Sequence, residues 1–121
     1  VSKKSPTQRT LDALRAEGYA AEVVEKRIPY TRITKDLFGC IDIVAVKAGL
    51  PPLAVQATSK SNVSARLKKS RAAPDLRAWL GSGCLFEVWG WGLTGAAGTR
   101  KRYEVRKEPV TLPDLTSENE S

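Results

Sequence analysis

The run Cys40-Ile41-Asp42-Ile43-Val44-Ala45-Val46-Lys47 leaves the chain little freedom. Rich in Ile and Val and almost continuously apolar, it reads as a strand covered on both faces, with Asp42 as the exception. Ala48-Gly49-Leu50-Pro51-Pro52 is a turn. Leu53 to Thr58 then supplies a partner strand, so residues 40–58 are expected as an antiparallel hairpin at the centre of a sheet.

The flanking segments extend this centre in both directions. Ser5-Pro6 marks a helix start, with Ser5 as the cap and Pro6 in the first turn. Leu11 and Leu14 keep helical spacing, and Gly18 ends the helix. A strand is expected from Tyr19 to Ile28, stopped by Pro29, with a basic, hydroxyl-rich loop or ribbon over 30–38. Ser61 or Asn62 can cap a helix from Val63 to about Ala72, restarted by Pro74 and running to Leu80. Strands follow over Cys84–Trp91 and Arg100–Lys107, joined by a Gly-rich loop. The order is helix, three strands, helix, two strands: an α/β fold with a central sheet flanked by helices. The expected domain is 1–107, with an acidic, flexible tail over 108–121.

Charge narrows the partners. The chain has 20 Lys and Arg against 13 Asp and Glu, and residues 108–121 hold four acids and no basic residue, which leaves +11 on residues 1–107. A body that basic favours polyanions, because neutralising phosphates releases condensed counterions. The apolar runs are far shorter than the ~20 residues that span a bilayer. The polar, charged start carries no secretory signal, so an intracellular, cytoplasmic protein is expected. With no His in the chain, Ser-His-Asp and Cys-His nucleophiles and His-ligated zinc are excluded. Cys40 and Cys84 form no CxxC and read as free thiols. Chemistry must then come from carboxylates, amides, lysines and hydroxyls around an oxygen-seeking ion such as Mg²⁺.

Asp42 is the first candidate. An acid between Ile41 and Ile43 is expensive to bury unless its charge is balanced by a basic partner, a local bend or a metal. On the neighbouring strand, Gln56, Thr58 and Lys60 share one parity, successive residues lying about 6.6–6.8 Å apart. Placed beside Asp42, that face would gather an acid, an amide, a hydroxyl and an ammonium. The helix N-terminus at Asn62 would add a preference for phosphate.

The segment Asp36-Leu37-Phe38-Gly39-Cys40-Ile41-Asp42-Ile43-Val44-Ala45, followed by Leu53-Ala54-Val55-Gln56-Ala57-Thr58, resembles the core of the PD-(D/E)XK nucleases. The resemblance spans residues 5–70 and implies a restriction-endonuclease-like α-β-β-β-α-β-β core. In small size, helix-first order and basic body the chain is most similar to the archaeal and phage Holliday-junction resolvases. That resemblance implies a Mg²⁺-dependent endodeoxyribonuclease of DNA recombination, working as a homodimer. Asp42 matches the metal-binding Asp, Gln56 the second ligand, and the backbone carbonyl of Ala57 the third. Thr58 stands where the family has its lysine, which leaves Lys60, Lys68 or Lys69 to assist the attacking water. The helix-borne Glu of the family falls near Gln8, so Glu25 or Asp36 is left to supply a further carboxylate.

Arg32, Lys35, Asn62, Arg66, Lys68 and Lys69 are the expected DNA-contacting residues, Asn62 and Arg66 being one helical turn apart. The alternatives are a nicking or repair nuclease acting on flaps or ends, and a binding module that keeps the fold without catalysis.

Overall fold

The structure, a computed structural model, describes residues 4–95, 98 and 101–116. Helix α1 (Pro6–Ala16) is followed by strand β1 (Ala20–Val23), the short strands β2 (Lys26–Arg27) and β3 (Thr34–Lys35), then β4 (Ile43–Val46) and β5 (Leu53–Ser59). A single 3₁₀ turn, Lys60–Asn62, leads into α2 (Val63–Arg71), and α3 (Leu76–Gly81), β6 (Leu85–Thr94), β7 (Arg102–Val110) and α4 (Leu112–Thr116) complete the chain. The main sheet has the order β1-β4-β5-β6-β7 and is mixed: β5 and β6 run parallel, and all other neighbours are antiparallel.

The expected hairpin is β4–β5, and it occupies the interior of the sheet. Its first four β5 residues, Leu53 to Gln56, are all buried. Alternation along β5 sends Leu53 and Val55 toward α1, where they pack with Leu11, Leu14, Ile43, Ala45 and Trp89. Ala54 faces the opposite layer of Ile41, Val63, Leu76, Phe86 and Val88. Ser5 caps α1 as expected, its hydroxyl accepting from Gln8 N–H at 3.1 Å. Trp91 Nε1 donates to Thr10 Oγ1 at 2.8 Å, tying α1 to β6.

Two features depart from the sequence reading. The strand expected over Tyr19–Ile28 is broken. Its sheet partner β4 ends at Ile43, and after Val24 N–H donates to Asp42 O (2.8 Å) the chain leaves the sheet. It then folds on itself as a two-stranded ribbon, pairing Lys26 with Lys35 and Arg27 with Thr34. The boundary expected at residue 107 falls inside β7, which continues to Val110. Val110 and Leu115 are buried in the α2–α3 layer, so the folded body reaches at least Leu115. Pro109 is accommodated within β7 because β7 is an edge strand. Residues 117–121 of the expected tail lie outside the described residues.

Candidate metal centre

Three chain segments converge where the ribbon meets the sheet. Asp42 lies one residue before β4; its N–H donates to Val55 O at 3.0 Å, and its Oδ2 accepts from Ala57 N–H at 2.9 Å. Both of its isoleucine neighbours are fully buried, and Asp42 itself is buried. Glu25 sits immediately before β2 and Asp36 immediately after β3, so the two ends of the ribbon each carry a carboxylate. One carboxylate oxygen from each of Glu25, Asp36 and Asp42 lies within 4.8 Å of the other two.

Convergence has an electrostatic consequence. Burial, reinforced by the neighbouring Asp36 and Glu25, pushes the Asp42 carboxyl up to about 7 even though the Ala57 N–H pulls it down. Glu25 is raised too, first by burial and then by the charge of Asp36. The nearest cation is Lys69 on α2, whose Nζ lies 3.5 Å from Asp36 Oδ2. The carboxylates open into a pocket of about 220 Å³ lined by Thr7, Thr34, Gln56, Ala57, Arg66 and Lys69 as well.

Gln56 is buried under this pocket. Its Nε2 donates to Asp36 Oδ2 at 3.2 Å, and its Oε1 accepts from Ser70 Oγ at 3.2 Å. In this orientation the amide offers N–H, and not oxygen, to the carboxylates. Turning the amide over would present Oε1 to them while Ser70 accepts in place of donating, a change a hydroxyl allows.

The remaining expected site residues divide by geometry. Ala57 lines the pocket. Thr58 is buried and aligned with Gly90, away from the lining. Lys60 leads off in another direction: its stem packs across Gly92, and its charge acts on Glu104 of β7. The lysine that reaches the acids is therefore Lys69. Arg66 lines the pocket with it, whereas Lys68 and Asn62 are exposed and outside the lining. Asn62 occupies the N-cap position of α2 without a side-chain cap bond, and α2 meets the acids through Arg66, Lys69 and Ser70 instead of its N-terminus. Arg32 and Lys35 are exposed on the ribbon.

Three contributors carried no usable sequence signal. Thr7 takes the α1 position facing the pocket; the neighbouring Gln8 turns to Asp12 at 2.9 Å. Thr34 reaches the pocket only because the ribbon folds back, and Ser70 meets Gln56 beneath it only because α2 passes over β5 there. Cys40 and Cys84 are free thiols, and burial pushes Cys40 up to about 11, which leaves it unreactive.

An all-oxygen donor set with no His and no thiolate is the chemistry a hard divalent cation takes. A cation among these three crowded carboxylate groups would also offset their mutual repulsion. The residues present thus fit a Mg²⁺-class ion. No family model, no curated protein and no solved structure matches the chain, so function is argued from this geometry.

Proposed function

We propose that the protein is a Mg²⁺-dependent endonuclease, with Mn²⁺ able to substitute, that hydrolyses DNA phosphodiesters. The observation that carries this reading is the meeting of Glu25, Asp36 and Asp42 within 4.8 Å, with Lys69 and Arg66 on the same pocket. A central β4–β5 hairpin presenting Asp42 and Gln56 side by side is compatible with a restriction-endonuclease-like core. The migration of the lysine from the Thr58 position to α2 keeps the charge complement of such a site.

Asp42, Asp36 and Glu25 would hold the ion, with Gln56 as a fourth oxygen donor once its amide is turned. When bound, a divalent ion neutralises phosphate charge and makes water more acidic. Lys69 is positioned to stabilise the negative charge that grows on the phosphoryl oxygens, and Arg66 to orient the phosphate.

Within this class we favour a four-way-junction resolvase acting as a homodimer, since symmetric resolution needs two active sites. Nicking of supercoiled plasmid with and without Mg²⁺ or Mn²⁺ tests the nuclease. Wild type should nick only with metal, and nicking that survives Asp42→Ala would overturn the assignment. Equal cleavage of a four-way junction and a linear duplex would point instead to a nicking or repair nuclease. The full engagement of the Gln56 amide by Asp36 and Ser70 favours a second reading, a binding module without catalysis. DNA binding with no nicking in either metal would select it.

A further inference from the structure

The ribbon base is a wall with two working sides. Alternation sends Glu25, Thr34 and Asp36 into the acidic pocket, whereas Val24, Lys26 and Lys35 line a separate groove on the other side. That groove has a volume of about 560 Å³ and is completed by Leu37, Phe38, Gly39, Pro74 and Asp75. Asp36 lines both spaces, so the groove adjoins the candidate metal centre directly.

Phe38 is the unusual member. It is 43% exposed and has φ 54°, a left-handed conformation that bulky side chains seldom adopt. Backbone bonds from Gly39 N–H to Asp36 O (3.1 Å) and from Ile41 N–H to Leu37 O (2.9 Å) hold the turn. Leu37, Cys40 and Ile41 turn into the core, so Phe38 is held out in the groove without serving the packing. The groove therefore offers an aromatic face, an apolar floor and the two ammonium groups of Lys26 and Lys35 on the ribbon, with the carboxylates of Asp36 and Asp75 at its other edges, beside the acidic pocket. Further along the ribbon, Arg27 and Arg32 are exposed, and Tyr30 at the turn is fully exposed.

We propose that this groove receives an unpaired nucleotide, its base against Phe38 and its phosphates on Lys26 and Lys35, so that the preferred substrate is DNA in which a strand leaves the duplex next to the cleaved bond. The inference rests on the nuclease reading and, within it, selects the flap- or end-cleaving alternative, since a four-way junction with all its bases paired offers no unpaired nucleotide to the groove. Stacking of a base on an aromatic side chain tolerates any sequence, and paired cations track the backbone. A continuous duplex, whose bases face inward, has nothing to place on Phe38.

The test is fluorescence anisotropy in EDTA, where cleavage cannot interfere, using a labelled blunt duplex and the same duplex with a single-stranded overhang. Wild type should bind the overhang substrate more tightly. Phe38→Ala should weaken overhang binding about tenfold, within the range for loss of one stacked base, and leave blunt-duplex affinity unchanged. Phe38→Tyr, which keeps the ring, should retain the preference. Absence of a preference in wild type overturns the proposal, as does an equal loss on both substrates or none on either. So does a Phe38→Ala variant that keeps the preference but turns a dimer into a monomer, which would make the groove a contact between copies. A Phe38-dependent preference without metal-dependent nicking supports the groove and sinks the nuclease reading. Nicking with no effect of Phe38→Ala does the reverse.

Discussion

At Asp42, stability and function pull in opposite directions. The folded protein holds this carboxyl at about 7, above the ordinary value near 3.8, because burial and two neighbouring acids disfavour its charge. Between those values the folded state binds more protons at this group than the unfolded chain, so its contribution to stability is full below about pH 4 and is lost as pH rises through 7. Melting of the metal-free protein should therefore move to lower temperature from pH 4 to pH 8. Asp42→Asn keeps an oxygen for the Ala57 N–H and removes the charge; it should raise Tm at pH 8 and flatten the slope. The same variant should lower metal-dependent nicking by more than about 100-fold, the upper end of what loss of even an outer-shell partner costs. A variant that nicks normally would contradict the role given to Asp42. Lys69 and Lys60 give the complementary comparison. Lys69→Ala should cost about 10²–10³ in cleavage rate, as for loss of one transition-state donor, whereas Lys60→Ala, directed toward Glu104, should leave the rate unchanged. The reverse result would return the assisting role to the strand-borne lysine.

Among the elements, the parallel β5–β6 pair sets where α2 can go. The 3₁₀ turn after β5 lies directly on β6, and Gly90 permits it: a Cβ there would sit 2.2 Å from Val63 Cγ2 and 3.1 Å from the Lys60 Cα. Gly92 plays a milder part, since the nearest atom to its Cβ would be the movable Lys60 Cδ at 2.9 Å. Gly90→Ala should therefore destabilise by about 1–3 kcal/mol, the usual cost of overpacking, with Gly92→Ala costing less by denaturant titration. Because α2 carries Lys69 to Asp36 and Ser70 to Gln56, Gly90→Ala should also reduce cleavage beyond its effect on the folded fraction. The ribbon has the converse relation to the site. It is short and exposed, and its two ends are Glu25 and Asp36, so an ion held between them would also fasten the ribbon to the sheet.

For the molecule as a whole, charge and metal linkage give measurable consequences. Arg32, Lys35, Arg66, Lys68 and Lys69 lie on the ribbon and α2, the two elements that frame the pocket. If all five meet phosphates, DNA affinity should fall by about two to three orders of magnitude between 50 and 200 mM salt. A shallow salt dependence would remove these residues from the interface. An ion held as proposed, by three converging acids that the unfolded chain cannot gather, favours the folded state, so Mg²⁺ should raise Tm at pH 8. Asp42→Asn should abolish that rise.

Local sequence determined the strands that periodicity and turn chemistry define. The β4–β5 hairpin, the capped first helix and the solitary acid among isoleucines were all legible, because each depends on neighbours along the chain. The boundary expected at Lys107 falls short of Val110, since whether a strand can continue through Pro109 depends on its lying at an edge of the sheet. The break in the Tyr19–Ile28 strand depended on where its partner ended. The assembly of the site was decided only in three dimensions. Glu25, Asp36 and Asp42 lie on separate segments, Lys69 and Ser70 come from α2, and Thr7 and Thr34 arrive from α1 and β3. Sequence named Asp42 because burying a charge is costly wherever it happens. It could not choose among the lysines, because that choice turns on the direction in which α2 crosses β5.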